Sequence, residues 1–110
     1  MATQVYEETE LTLMDGTVVK MRPLKIALLR EFMNRFGEIA KVAEDNDASM
    51  DVLIDCVTIA MKQYSPTYTE KALVEENFDL PMVYKVIEAA SGIKFDDEGN
   101  GIATGIRGLN

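Results

Sequence analysis

Histidine is absent from this 110-residue chain, and cysteine occurs once, at Cys56. Without His, neither a Ser-His-Asp nor a Cys-His catalytic unit can be assembled. Zinc sites of the usual kind, which draw on several Cys and His ligands, are equally out of reach. A single Cys forbids a disulfide framework within the chain, so nothing points to secretion. No apolar run is long enough to span a bilayer. The first fifteen residues carry Glu7, Glu8, Glu10 and Asp15, the wrong chemistry for a signal peptide. Bases are scarce too. Eleven Lys and Arg face 19 Asp and Glu, a formal net charge of −8. That balance argues against general nucleic-acid binding, which needs accumulated cations, and against docking on anionic membranes. The expectation is a cytosolic protein with no catalytic, cofactor or metal site.

The composition that remains, 47% hydrophobic and 27% charged, is ordinary for a globular chain. Its length suits one domain that buries roughly two thirds of the unfolded chain's surface. Residues 1 to 9 are polar and read as a flexible N-terminus. Ordered structure starts with Glu10-Leu-Thr-Leu-Met14, Asp15-Gly16 and Thr17-Val-Val-Lys-Met-Arg22. Asp-Gly between alternating segments is a strong hairpin signal. A three-residue loop of Met14, Asp15 and a left-handed Gly16 pairs Leu13 with Thr17, Leu11 with Val19, and Glu10 with Lys20. This register gathers Leu11, Leu13, Val19 and Met21 on one face and sets opposite charges across from each other.

Arg22-Pro23 ends the strand, and a helix is expected from about Lys25 to Ala43. Its apolar arc holds Ile26, Leu28, Leu29, Phe32, Met33, Phe36, Ile39, Ala40 and Ala43. A second helix, capped by Asp47 or Ser49, is expected to reach about Tyr64. Ser65-Pro66 stops it. Thr69 suits the cap of a short helix over Glu70 to Glu76. Asp79 suits the cap of a last helix, with Pro81 in its first turn and its end near Ser91 at Gly92-Ile93. After Phe95 periodicity fails and four of the seven glycines fall between Gly99 and Gly108, so residues 96 to 110 read as a flexible, Gly-rich tail. The fold expected is mainly α (α+β): one domain over residues 10 to 95, a β-hairpin followed by a small bundle of about four helices.

Three patterns with a chemical reading fail on inspection. Asp45, Asp47 and Ser49 have the opening spacing of a calcium loop, but Met50 stands where Gly is required and Cys56 where the closing Glu belongs. Gly99, Gly101 and Gly105 resemble a dinucleotide fingerprint with its last gap one residue too long and no strand–helix context. Cys56 lies mid-helix on an apolar stripe, as a small core or interface residue does. Between positions 20 and 41 the six bases Lys20, Arg22, Lys25, Arg30, Arg35 and Lys41 oppose only Glu31 and Glu38. Such a run is usually a solvated helix face; a docking face or nucleic-acid patch is the alternative.

The apolar excess is more informative. Beside the main stripe of the second helix, Met50, Leu53, Ile54, Val57, Ala60, Met61 and Tyr64, lies another, Val52, Cys56 and Ile59. The last helix likewise carries Met82, Val86 and Ala89 beside its core stripe of Leu80, Val83, Ile87 and Ala90. Either both helices are central in the bundle, or these six residues face a partner. The seven methionines add adaptable apolar surface of the kind used to bind variable partners. The six are therefore the candidate protein-interaction surface.

The order of these pieces resembles the small tail assembly chaperones of long-tailed bacteriophages. The resemblance is carried by Leu11-Thr-Leu-Met-Asp-Gly-Thr17, by Arg22-Pro-Leu-Lys25, by the acidic joint before Ser49-Met-Asp-Val-Leu-Ile-Asp55, and by Asn77-Phe-Asp-Leu-Pro81 leading to Ala90-Ser-Gly-Ile93. It covers about residues 10 to 95 and contains no catalytic signature. It implies a non-enzymatic, mainly helical, self-associating protein of the infected cell's cytoplasm. Such proteins coat the tape measure protein, recruit tail tube subunits, and leave before the virion is finished. Many are also made in a longer, frameshifted form. The alternatives are a structural connector or adaptor of phage morphogenesis, and a small regulator binding nucleic acid through residues 20 to 41.

Overall fold

The computed structural model describes residues 8–92. Two antiparallel strands, β1 (Thr9–Thr12) and β2 (Val18–Met21), form the N-terminal hairpin. Four helices follow: α1 (Ile26–Phe36), α2 (Asn46–Tyr64), α3 (Lys71–Asn77) and α4 (Leu80–Ser91). A 3-10 segment, Gly37–Val42, extends α1, and a 3-10 turn, Pro66–Tyr68, precedes α3. The expected hairpin-plus-helices architecture is therefore present. The tail over residues 96 to 110, the clasp at Ile93 and the first seven residues lie outside the described residues. Thr9, assigned to the flexible N-terminus, instead pairs with Met21 at the start of β1.

The hairpin has the register argued from sequence: Glu10 faces Lys20 and Leu11 faces Val19. The Leu13 amide donates to the Thr17 carbonyl at 2.8 Å, which closes the three-residue loop. Gly16 takes φ +92°, a conformation that L side chains rarely adopt. Leu11, Leu13, Val19 and Met21 are all buried, so one face of the hairpin joins the core. The other side of its loop is held by Asp15, whose carboxylate accepts the Tyr68 hydroxyl and the Thr17 amide. Those two donors, Tyr68 first, hold the Asp15 carboxyl below the usual carboxylate range.

The first helix departs from expectation. The α-helix stops at Phe36, and the chain tightens into a 3-10 helix from Gly37. Gly37 lowers helical propensity at the switch. The apolar spacing then favours the tighter winding. Phe36, Ile39 and Val42 recur every three residues, which aligns them on one face of a 3-10 helix, and all three pack half-buried against the core. Ala40 and Ala43, which an uninterrupted α-helix would have turned inward, are exposed.

α2 is the centre of the molecule. It packs against α1, α3, α4, β2 and both 3-10 segments. Its cap is Asp45, whose carboxylate accepts the Ala48 amide at 3.0 Å. Asp45 thus replaces the expected Asp47 or Ser49: the helix starts at Asn46, which puts both of these inside it, and the Ser49 hydroxyl donates back to the Val42 carbonyl at 2.8 Å. α1 runs antiparallel along α2. Near its start the Lys25 amide donates to the Gln63 side chain, and near its end Arg35 meets Asp55. α3 begins after Glu70 without a side-chain cap; Thr69, expected there, lies one residue outside the cap position, and its hydroxyl donates to the Pro66 carbonyl. α4 follows its sequence signals closely. The Asp79 carboxylate accepts the Met82 amide at 2.9 Å, Pro81 lies in the first turn, and Gly92 ends the helix at φ +76°. The Leu24 amide donates to the Ala90 carbonyl and fastens the hairpin's exit to α4. One apolar core results, and among the described residues no polar or charged residue is buried.

Candidate protein-interaction surface

The six residues singled out from the second apolar stripes divide into two groups. Val52, Cys56 and Val86 are core residues, 2% exposed or less. Ile59, Met82 and Ala89 are half-buried and pack against that core. The interface expectation is thereby corrected for Val52, Cys56 and Val86, and the reason is placement. α2 has neighbours on several sides, and α4 lies against both α2 and the hairpin, so each helix needs two apolar stripes to serve its own fold. Cys56 shows the consequence. Its thiol lies against the Phe32 carbonyl, 3.9 Å away, and burial pushes the thiol pKa up to about 12. A neutral, enclosed thiol is a packing group, not a nucleophile.

Uncovered apolar surface lies elsewhere, at positions the helical pattern had assigned to the core. On α1, Ile26 is 64% and Met33 49% exposed. With half-buried Leu29 they form a shallow depression of about 310 Å³, bordered by Arg30 and Asn34. A larger open groove of about 550 Å³ lies where the first turns of α2 and α4 meet the end of α3. Its apolar lining is Met50, Ile54, Phe78, Leu80 and Val83. Met50 and Leu80 are its most exposed apolar members, at 42% and 39%. At the hairpin, Met14 and Val18 are also exposed.

Among the described residues, the charged ones that line the groove are all acidic: Asp47, Asp51, Glu75 and Asp79. Two of these have work within the fold. Asp79 caps α4, and Asp51 has Lys71 at 3.7 Å. Asp47 and Glu75 form no salt bridge among the described residues. Nearby, Asp55 is engaged by Arg35, with its Oδ2 receiving Nη2 at 2.6 Å and Nε at 2.8 Å, and by Lys71 at 3.3 Å. The basic segment over residues 20 to 41 therefore gives up part of its charge, since Arg35 is paired with Asp55 and lies 3.6 Å from Glu38.

Sequence reasoning missed the groove because it is assembled from the ends of three helices. Periodicity along any one helix assigned Met50 and Leu80 to core stripes. Only the packing of neighbours reveals that their stripes run past the covered zone. The available signal was the acidic residue next to each, Asp51 beside Met50 and Asp79 beside Leu80. Among the described residues no three Asp, Glu or Cys side chains converge as a metal site, and no helix is long and apolar enough to cross a membrane. No protein-family model, curated protein or solved structure matches the chain.

Proposed function

We propose that this chain is a non-enzymatic tail assembly chaperone of a long-tailed bacteriophage. It binds and solubilises the tape measure protein, helps recruit tail tube subunits, and self-associates. It acts in the cytoplasm of the infected bacterium and leaves before the virion is complete. The observation that carries this reading is the apolar surface left uncovered on a folded, acidic domain: Ile26 and Met33 on α1, Met50 and Leu80 at the groove. Apolar side chains grouped at open depressions are surface that a client can cover, and a large net charge keeps its bearer soluble. By binding the exposed form of an apolar client, such a domain lowers the client's free concentration by mass action and so slows its aggregation. Cys56, enclosed and protonated, supplies no competing chemistry. The pairing of Arg35 with Asp55 weakens the nucleic-acid alternative.

Co-expression with the tape measure protein of the same phage tests the proposal. The client is expected in the soluble fraction only when this chain is present. A client equally aggregated with and without it contradicts the chaperone reading. Recovery of the chain in purified particles assigns it instead to a structural connector.

A further inference from the structure

We infer that the acidic-rimmed groove at the first turns of α2 and α4 docks a cationic amphipathic helix of the client protein, an inference that rests on the reading of this chain as one that works by protein contact. The groove's volume, about 550 Å³, falls within the roughly 300–1,000 Å³ of binding clefts. Its wall combines the two features that select such an occupant. Met50 and Leu80 offer an apolar floor, backed by Ile54, Phe78 and Val83, which are themselves buried. The charged residues among its described lining are carboxylates; Lys71 stands against one of them, Asp51, at 3.7 Å, while Asp47 and Glu75 lie outside any salt bridge of the described residues. Aliphatic side chains on one stripe of a helix would cover the floor, while Lys or Arg on its flanks meet the rim. An anionic partner is repelled by the same rim, which supplies discrimination as well as attraction.

Helical geometry follows from what the groove is made of. Its walls come from α2, α3, the joint at Phe78 and α4. No strand edge is available there for an added strand. Proline-rich ligands use grooves lined with aromatic rings, and Phe78, itself buried, is the lone ring among the described lining residues. Helix-in-groove contact is the recognition mode left. The depression on α1 is a poor rival for the same segment, because its described lining carries Arg30 and no carboxylate.

The test uses the full chain and a labelled synthetic peptide, helical and amphipathic, with Leu at i, i+3, i+4 and i+7 and Lys on the flanks. Binding is read by fluorescence anisotropy. The peptide is expected to bind and to weaken as salt is raised. Glu in place of Lys, or a scrambled order, should abolish binding. Asp47→Lys with Glu75→Lys should lower affinity by about tenfold or more, as reversal of rim charges at a contact does. Glu8→Lys with Glu10→Lys, the same change of net charge on the hairpin, should leave affinity unchanged. Asp47→Asn with Glu75→Gln should give a smaller loss of the same sign, and serves if the double lysine variant does not fold. Equal affinity in the groove variants, an equal loss in the hairpin variant, or equal binding of the scrambled peptide overturns the inference. So does loss of self-association in the groove variants without any peptide binding, which would give the groove to a second copy of the chain. Peptide binding without client solubilisation keeps the groove and removes the chaperone reading. Client solubilisation undisturbed by the groove substitutions does the reverse.

Discussion

The start and the middle of α2 share one apolar stripe, on which Met50 and Val57 both lie, and meet different fates. From Val52 to Met61, residues on both of its stripes are buried, Val52, Cys56, Val57, Ala60 and Met61 among them. One turn earlier, Met50 is exposed and opens onto a groove between Asp47 and Asp51. Helical periodicity treats these positions alike. What separates them is the set of neighbours: the middle of the helix is enclosed by the elements packed on it, while Met50 opens onto the groove beside the end of α3 and the first turn of α4. An apolar excess in sequence therefore announces many neighbours as readily as it announces a partner. The surface left for a partner lies where the elements run out.

The sharpest way to break this comparison is to place a polar group at covered and at open positions. Val57→Glu or Val86→Glu buries an unpaired carboxylate, at a cost of several kcal/mol, a large share of the ~5–15 kcal/mol that holds a domain together. Both variants should lose their helical circular dichroism at ambient temperature. Met50→Gln or Leu80→Gln, at exposed positions, should stay within about 0.5 kcal/mol in denaturant titrations. Retained helicity in Val57→Glu would mean that the centre of α2 is not core.

The same contrast recurs on α1 between adjacent residues. Phe32 is fully buried and stacks on Phe36 with ring centroids 6.0 Å apart, whereas Met33 is half exposed. Phe32→Ala should cost about 3–5 kcal/mol and Met33→Ala about 0.5 kcal/mol or less. Equal losses would show that the depression at Ile26 and Met33 is covered in solution.

Cys56 sharpens the comparison chemically. Its thiol should resist thiol-directed reagents in the folded chain and react at once in denaturant. Its folded pKa is raised, from 9.0 to about 12, so the unfolded chain ionises first as pH rises. The stability held by the neutral thiol is complete below about pH 9 and drains away toward pH 12. A reaction rate as fast in the native chain as in denaturant would contradict the enclosure.

The smallest effect is expected at the hairpin loop. Tyr68→Phe removes the hydroxyl that Asp15 accepts, so the Asp15 carboxyl should titrate closer to its ordinary value of 3.8. Because the native pKa is depressed, its contribution to stability is present above that ordinary value and lost as pH falls below it. Titration of Asp15 by carboxyl-detected NMR in both chains checks this. No change on substitution would mean that the loop is not tied to Tyr68.

How much of this was legible in the sequence depended on how local its cause is. The hairpin register followed from Asp15-Gly16, the alternation on either side, and the opposition of Glu10 to Lys20. α4 was bounded by Asp79, Pro81 and Gly92, each acting through its own backbone. The 3-10 segment was misread because its triplet spacing of Phe36, Ile39 and Val42 overlaps an α-helical arc that also collects Ala40 and Ala43. The cap of α2 was misplaced because Asp45, Asp47 and Ser49 are all cap-forming types within one turn, and only the folded chain shows that the Asp45 carboxylate takes the Ala48 amide. The groove was invisible for the strongest reason. Asp47 and Met50, Glu75 and Leu80 share a wall only after three helices have packed.

Measuring the affinity of the cationic amphipathic peptide for the full chain and for its Asp47→Lys, Glu75→Lys variant, with the circular dichroism of both recorded, tests the central claim most directly. That claim is that contact is made at the groove and not through the second stripes of α2 and α4. The account predicts two chains of equal helicity and a loss of about tenfold or more in affinity. Equal helicity with unchanged affinity would contradict it.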